Sequence, residues 1–188
     1  MGKYYDNFNN KSVNGQSLVH VINLLLGKEV VGVEVGIYSA TTFCTLLQMC
    51  PNIKTLYGID NYVPSDVGTV SDEYVVDEKG ADWVRSMAYH HIKYSGNENK
   101  AVILEEDSNT AVNRFEDDSL DFVFLDAQTT VAGIQRDIES WYPKVKKGGI
   151  IAGHDWDIVH QSLALYRFTN NYSDDPFSVF DNVWIWVK

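Results

Sequence analysis

The feature that most constrains the fold of this chain is a regular alternation between short apolar runs and longer amphipathic stretches. Five runs rich in β-branched residues are nearly continuous in apolar side chains, as in parallel strands that are covered on both faces. The predicted strands are Glu29–Val35, Thr55–Ile59, Ala101–Leu104, Phe122–Leu125 and Gly149–Ala152. The predicted helices between them are Thr41–Met49, Ala81–Tyr94, Thr110–Phe115 and Val131–Tyr142. Because parallel strands need such crossovers, the pattern predicts a doubly wound α/β fold.

The two ends of the chain depart from this simple alternation. Ser17–Leu26 is a predicted helix before the first strand, and Val159–Thr169 is a predicted helix after the fifth. Phe177–Phe180 and Val183–Val187 are two further predicted strands, separated by an Asp-Asn pair that suits a tight hairpin. A hairpin makes its strands antiparallel, so we expect a mostly parallel seven-stranded sheet with a C-terminal antiparallel hairpin.

Composition and charge limit the partners and the location of the protein. The length of 188 residues fits a single domain, residues 1–188, in which residues 1–28 precede the first strand. The formal net charge of −11 repels a phosphate backbone, so we expect no nucleic-acid partner. No apolar run approaches the ~18 residues of a membrane span, and residues 1–10 lack an apolar signal core. Cys44 and Cys50 provide no disulfide framework, which favours a cytoplasmic protein and leaves a homo-oligomer open.

The loop after the first strand lies where doubly wound sheets bind their ligands. Gly36 has the conformational freedom for a sharp turn, and Ser39 and Thr41 are expected to cap the next helix. The free N–H groups of that helix suit a ligand carboxylate. A dinucleotide fingerprint needs a second glycine where this chain has Tyr38. The loop therefore favours S-adenosylmethionine, whose cationic sulfonium suits Glu34 and Tyr38, over NAD; a plain strand–helix turn is the alternative.

Acidic residues also follow the second and third strands. Asp60 and Asn61 end the second strand, where a carboxylate can accept hydrogen bonds from both ribose hydroxyls of a nucleoside. Asp107 and Ser108 follow the third strand and could hydrogen-bond an adenine edge. In the alternative interpretation, Asp60 caps a turn, and Asp107 and Ser108 cap the helix that follows.

The fourth and fifth strands end in the residues that we expect to carry the chemistry. Asp126 ends a wholly apolar strand, where an ion is costly unless it has a partner or a task. The fifth strand ends in Gly153-His154-Asp155, and His154 is the side chain best suited to accept a proton near neutral pH. Asp126, Asp155 and Asp157 could supply oxygen ligands to Mg²⁺; the alternative is that they cap helices.

The segment from Asn61 to Glu78 contains five acidic residues and no lysine or arginine. It leaves the ligand-binding edge of the sheet, and loops of this length are often lids. Its charge suits a cationic or polyhydroxyl acceptor. A solvated loop is the simpler alternative.

Together these segments resemble the class I S-adenosylmethionine-dependent methyltransferases, nearest to a small O-methyltransferase-like group whose fifth strand closes with Gly-His-Asp. The likeness covers roughly Val30 to Lys188. It implies a Rossmann-like fold and methyl transfer from S-adenosylmethionine to a small-molecule acceptor at a hydroxyl oxygen. It places Glu34, Gly36, Ser39 and Asp60 at the methionine and ribose, Asp107 and Ser108 beside adenine, and Asp126, His154 and Asp155 at the acceptor or metal. The predicted cofactor-binding set also includes Tyr38, Thr41, Asn61 and Asp126.

The chain departs from the family pattern in two places. Ala40 stands where the family often has glycine, and we expect this small residue to be harmless. Relatives commonly carry a histidine and a tyrosine at the positions of Thr129 and Val131, which affects the acceptor site more than the cofactor site. These departures leave open a catalytically silent module that binds an adenosyl ligand. A second alternative function is a nucleotide-dependent enzyme of another chemistry, such as an oxidoreductase.

Overall fold

The computed structural model describes residues 13–63, 78–128, 130–157, 159–172, 177–180 and 182–188. Its strands are β1 (Val30–Val35), β2 (Ile53–Ile59), β3 (Ala101–Leu104), β4 (Leu120–Leu125), β5 (Val145–Gly153), β6 (Ser178–Phe180) and β7 (Val183–Val187). Its α-helices are α1 (Val13–Leu25), α2 (Thr41–Met49), α3 (Glu78–Tyr94), α4 (Ser108–Ala111), α5 (Val131–Trp141) and α6 (Val159–Tyr172). Helices thus alternate with β1 to β5, as the sequence pattern predicts.

The seven strands form one sheet in the order β3-β2-β1-β4-β5-β7-β6. The pairs among β1 to β5 are parallel, while β7 is antiparallel to both β5 and β6. This confirms the mostly parallel sheet with a C-terminal antiparallel hairpin. The strand order reverses between β1 and β4, and such a switch point is where open α/β sheets bind ligands.

The strand register brings the carboxyl ends of four strands to one edge of the sheet. Val35 of β1 pairs with Ile59 of β2 and with Leu125 of β4, and Leu125 pairs with Gly153 of β5. The next residue of each strand is therefore one of the candidate site residues, namely Gly36, Asp60, Asp126 and His154. We call this line of strand ends the carboxyl edge.

A hydrophobic cluster covers each face of the sheet, because successive strand residues point to opposite faces. In β4, Phe122 and Phe124 pack into the cluster that contains residues of α1, α2 and α3. Val123 and Leu125 pack into the other cluster, with residues of α5 and α6. The continuous apolar runs of the sequence are therefore strands buried on both faces.

Several predicted element bounds differ from the structure, most widely at α1, which begins at Val13 and not at Ser17, and two of the differences have a clear local reason. The helix predicted from Thr110 begins at Ser108, because the Asp107 carboxylate accepts a hydrogen bond from the Asn109 N–H and caps it. β5 begins at Val145, before the predicted start at Gly149, and Gly148 lies inside it with φ of 79° where the pairing with β4 is irregular. The glycines thus bend the strand instead of leading into it.

Three further expectations concern membrane association, the cysteines and the acidic segment. None of the described helices is long and apolar enough to cross a membrane. Cys44 and Cys50 are both buried and unpaired, as expected. Residues 64–77, which include most of the predicted lid, lie outside the described residues, as do Thr129 and Asp181.

Candidate functional site

Gly36 brings the β1–α2 loop into direct contact with the end of β4. Its φ is 88°, in the region that favours glycine, and its N–H donates to the Ile59 carbonyl at 2.8 Å. A Cβ at this position would meet the Asp126 carbonyl oxygen and lie 2.7 Å from the Ala127 Cα. The space beside Gly36 is therefore taken by the protein's own backbone, so the fold itself requires a glycine at this position.

The N-terminus of α2 differs from the expectation that Ser39 and Thr41 cap it. The N-cap residue is Ala40, and no side chain makes a capping hydrogen bond. The Ser39 and Thr41 hydroxyls instead lie 3.3 Å from each other. Ala40 has φ of 62° and Tyr38 has φ of 47°, conformations that cost a residue with a Cβ and that recur at functional sites. Ala40 is therefore not simply harmless, since a glycine would relieve this strain.

Asp60 connects the β1–α2 loop to the end of β2. Its carboxylate accepts hydrogen bonds from the N–H groups of Tyr38 and Tyr62, each at 2.9 Å. Burial raises the pKa of Asp60, and these two hydrogen bonds act in the opposite direction. Asp60 thus does stabilise a turn, as the alternative interpretation held. Each carboxylate oxygen can still accept a second hydrogen bond, which keeps the ribose assignment compatible with the geometry.

Glu34 is a buried acid whose carboxyl group has an unsatisfied oxygen atom. It lies within β1, is 1% exposed, and its Oε2 has no hydrogen-bond partner among the described residues. Burial raises the pKa of Glu34 well above its ordinary value, and the charges of Asp126 and Asp60 add to this effect. An unsatisfied buried oxygen costs about 1–3 kcal/mol. A ligand that carries a positive charge and N–H donors, as S-adenosylmethionine does, fits this environment.

Asp126, His154 and Asp155 form a compact cluster at the carboxyl edge. The His154 Nδ1 lies 2.8 Å from Asp155 Oδ1 and 3.4 Å from Asp126 Oδ1. One potential ligand atom from each residue lies within 4.8 Å of the others, so the three could hold a metal ion. Asp155 has φ of 60°, another left-handed residue at the site.

The group that could hold a metal therefore differs from the predicted set of Asp126, Asp155 and Asp157. The structure brings His154 into the group and leaves Asp157 outside it, as far as the described residues show. The backbone N–H of Asp157 donates to Asn182 Oδ1 at 2.7 Å, and the residue is exposed. Asn182, which directly precedes β7, thus holds Asp157 in the turn before α6.

The two neighbouring carboxylates change the charge state expected for His154. Burial alone would lower the pKa of His154, but the hydrogen bonds and charges of Asp126 and Asp155 outweigh it and raise the pKa to about 10. Burial raises the pKa of Asp126 in turn, against the influence of His154. The expectation of an imidazole that titrates near its ordinary value is therefore wrong for the cluster as it stands. The two carboxylates thus favour the imidazolium form at neutral pH.

We expect the ring of His154 to remain protonated from pH 6 to pH 8. The measurement is a ¹⁵N-detected NMR titration of the five histidines in metal-free buffer, with His154→Gln used to assign the signal. Asp155→Asn removes the nearer carboxylate and should move the titration toward neutral pH. A wild-type ring that titrates with a midpoint near pH 6.5 would contradict the ion cluster.

At the end of β3, Asp107 and Ser108 lie on opposite sides of the turn. Asp107 is exposed and caps α4, while Ser108 is buried. The Ser108 hydroxyl donates to Asp137 Oδ1 at 2.8 Å and accepts from Trp141 Nε1 at 2.9 Å. The predicted contact between this hydroxyl and adenine has to compete with both hydrogen bonds.

The sequence interpretation missed several residues that surround the site. Asp137 stands three residues after Ile134 and four before Trp141. This helical spacing places an acid on the apolar face of α5, and it could have been recognised from the sequence. The contacts of α3 carried no such signal: His91 Nδ1 lies 2.7 Å from the Ser39 carbonyl, and the Tyr89 hydroxyl donates to Glu105 at 2.7 Å. These pairs join elements that are distant in sequence.

The sheet order, the glycine loop at the switch point and the acid after β2 together define a class I S-adenosylmethionine-dependent methyltransferase. The family model described as a methyltransferase domain matches residues 33–156, more than half of the chain. The chain therefore belongs to this methyltransferase family. The comparison with curated protein sequences gave no match.

Solved structures of low sequence identity share this fold. A protein from Corynebacterium glutamicum is 12% identical, with a TM-score of 0.69 over 93% of this chain and 79% of its own. A putative caffeoyl-CoA O-methyltransferase from Staphylococcus aureus is 14% identical, with a TM-score of 0.62 over 91% and 80%. An rRNA methylase from Streptococcus thermophilus is 10% identical, with a TM-score of 0.60 over 90% and 91%. Because the named activities differ, the shared fold does not identify the acceptor.

Proposed function

We propose that this methyltransferase transfers the methyl group of S-adenosylmethionine to a hydroxyl oxygen of a small-molecule acceptor. The observation that carries the proposal is the backbone contact between Gly36 and Asp126. It brings the β1–α2 loop, which would bind the cofactor, close to the Asp126–His154–Asp155 cluster at the carboxyl edge. The net charge of −11 favours a small molecule over a nucleic acid.

Each part of the cofactor has a group of matching chemistry at this edge. Asp60 would accept hydrogen bonds from the ribose hydroxyls, and Asp107 would accept one from the adenine amino group. The uncapped N-terminus of α2 suits the methionine carboxylate. Glu34, with its unpaired buried oxygen, suits the positive charge. When bound, the cofactor supplies an electrophilic methyl group.

The protein's task in methyl transfer is to align an acceptor hydroxyl and to take its proton. Asp126 and Asp155 flank His154 and hold it as an imidazolium, so proton removal requires either a neutral His154 or one of the carboxylates. A divalent cation held by Asp126, His154 and Asp155 would displace the imidazolium proton and acidify a bound hydroxyl. The metal-free and the metal-dependent route would both use this cluster.

A second candidate is a protein that binds an adenosyl ligand without turnover. The two carboxylates beside His154 support it, because they raise the pKa of the ring and an imidazolium cannot act as a base. The apolar Val131 in the first turn of α5 supports it as well, since it offers no polar contact to an acceptor.

One set of measurements separates these functions. Calorimetric titration with S-adenosylmethionine, S-adenosylhomocysteine and NAD identifies the ligand class. A screen of hydroxylated acceptors, with Mg²⁺ and with EDTA, then tests turnover by the release of S-adenosylhomocysteine. Binding of NAD alone would reject the proposal. Tight adenosyl binding without turnover on any acceptor would favour the silent module.

Asp60→Ala is expected to weaken binding of S-adenosylhomocysteine by about 1.5–3 kcal/mol, or roughly 10- to 150-fold. The change removes a charged acceptor for two hydroxyls and also releases the Tyr38 N–H that shapes the loop. Calorimetry measures the affinity. Asp117→Ala, which removes an exposed ion pair with Lys144, serves as the control and should bind normally. Equal affinity of the Asp60 variant and the wild type would reject the ribose assignment.

A further inference from the structure

A buried polar network lies directly beneath the turn that follows β3. Asp137 on α5 is 3% exposed, and its carboxylate accepts the Ser108 hydroxyl proton at 2.8 Å. The same hydroxyl accepts the indole N–H of Trp141, which is fully buried. Two residues of α5 thus hold the Ser108 hydroxyl oxygen at the start of α4.

The opposite side of the same turn is held by α3. The Tyr89 hydroxyl donates to Glu105 Oε1 at 2.7 Å, and Arg85 forms an ion pair with Glu105 Oε2 at 3.5 Å. Asp107 lies between these two anchors and is exposed, while its neighbour Ser108 points into the core. The Asp107 carboxylate accepts hydrogen bonds from the Asn109 N–H and side-chain amide, so its direction follows the first turn of α4. The hydrogen bonds of Ser108 fix where that turn lies.

We propose that Asp137 is a positioning residue that sets adenine recognition, by holding Ser108 so that the Asp107 carboxylate faces the adenine amino group. This inference rests on the proposed function. Asp137 itself does not touch the cofactor. It acts through Ser108 from the side of the turn that faces away from the ligand.

The cost of burying Asp137 argues that it does more than stabilise the helix packing. Replacing a buried charge by a well-packed apolar side chain is often neutral or stabilising. Burial raises the pKa of Asp137 to about 6, yet the carboxyl is still mostly ionised at neutral pH. An ionised acceptor makes a stronger and more directional hydrogen bond than a neutral one, which suits a role in orienting Ser108.

The test is a comparison of two ligands that differ only at the adenine edge. S-inosylhomocysteine replaces the adenine amino group, a donor, by a carbonyl, an acceptor, and changes N1 from an acceptor to an N–H donor. If Asp107 accepts from the amino group, the wild type should bind S-adenosylhomocysteine at least about tenfold more tightly. Asp137→Ala should reduce that ratio about fivefold or more, while Asp137→Asn, which keeps an acceptor for Ser108, should retain most of it.

Two further variants keep the test decisive. Ser108→Ala removes a single oxygen atom and should reduce the ratio in the same direction, even if Asp137→Ala fails to fold. Asp121→Ala removes a carboxylate that holds the Val31 N–H and Lys146 at the opposite edge of the sheet, and it should leave the ratio unchanged.

The outcomes separate this inference from the proposed function. A wild type that does not bind S-adenosylhomocysteine would reject the proposed function. A wild type that binds both ligands equally would overturn adenine recognition by the turn. Equal weakening of both ligands in the Ser108 and Asp137 variants would show a merely structural role and overturn the inference. A reduced ratio in both, with the Asp121 control unchanged, supports it.

Discussion

Replacing Gly36 with alanine is expected to lower the free energy of unfolding by about 2–6 kcal/mol. Two costs combine at this position. The φ of 88° is strained for any residue with a Cβ, at about 1–3 kcal/mol. The added atom would also lie 2.7 Å from the Ala127 Cα, and backbone cannot move aside as a flexible side chain can; such overpacking costs about 1–3 kcal/mol more. Urea unfolding followed by circular dichroism measures the change.

Gly96 provides the matched control for this prediction. Its φ of 71° is strained in the same way, but an added Cβ would meet nothing within 4 Å. Gly96→Ala should therefore show the backbone cost alone, and the difference between the two variants isolates the contact with the end of β4. Equal losses of the free energy of unfolding in the two variants would contradict the close contact between Gly36 and the end of β4.

His154→Ala is expected to lower turnover with a true acceptor by about 10²–10⁴-fold if the imidazole is the proton acceptor. The neighbouring carboxylates raise the pKa of His154 to about 10. As long as the pH is below that value, the fraction of neutral imidazole increases about tenfold with each unit by which the pH rises. In the presence of EDTA, the wild-type rate should therefore keep rising from pH 7 to pH 9. The measurement is kcat/KM against pH, at saturating S-adenosylmethionine.

The exposed His20 provides the control, since His20→Ala should leave both the rate and its pH dependence unchanged. The same profile is recorded with Mg²⁺, because a cation on the cluster would compete with the imidazolium proton. Full turnover in His154→Ala would remove the residue from the mechanism and leave the two aspartates as candidates. A rate that stays level above pH 7 with EDTA would contradict the raised pKa.

Local sequence signals were enough to predict the architecture. The strand β3, the helix α2 and the strand β7 have the predicted bounds, because continuous apolar runs and amphipathic periodicity are local properties. The hairpin of β6 and β7 followed from a two-residue turn, which allows no other geometry. Some boundary errors arose where local contacts shifted an element's start, as the Asp107 cap did at α4 and the irregular pairing around Gly148 did in β5.

The candidate site was predictable only in part, because its residues come from different strand ends. The sequence placed Asp126 and His154 at the same edge, since parallel strands end together. The sequence could not show that Asp155 also lies against the His154 ring at this edge. The sequence-based prediction therefore gave His154 an ordinary pKa, whereas the two carboxylates raise it. Asp157 appeared equivalent to Asp155 in sequence, but the turn before α6 directs it elsewhere.

The sequence by itself determined the strand order along the chain, the glycine after β1 and the acids at the strand ends, because these depend on residue type and spacing. Only the tertiary structure decided what occupies the space beside Gly36, which charge His154 carries, and which acid lies beneath Ser108. Those properties depend on distances of a few ångströms between elements that are up to about a hundred residues apart. Packing sets such distances, and spacing along the chain does not specify them.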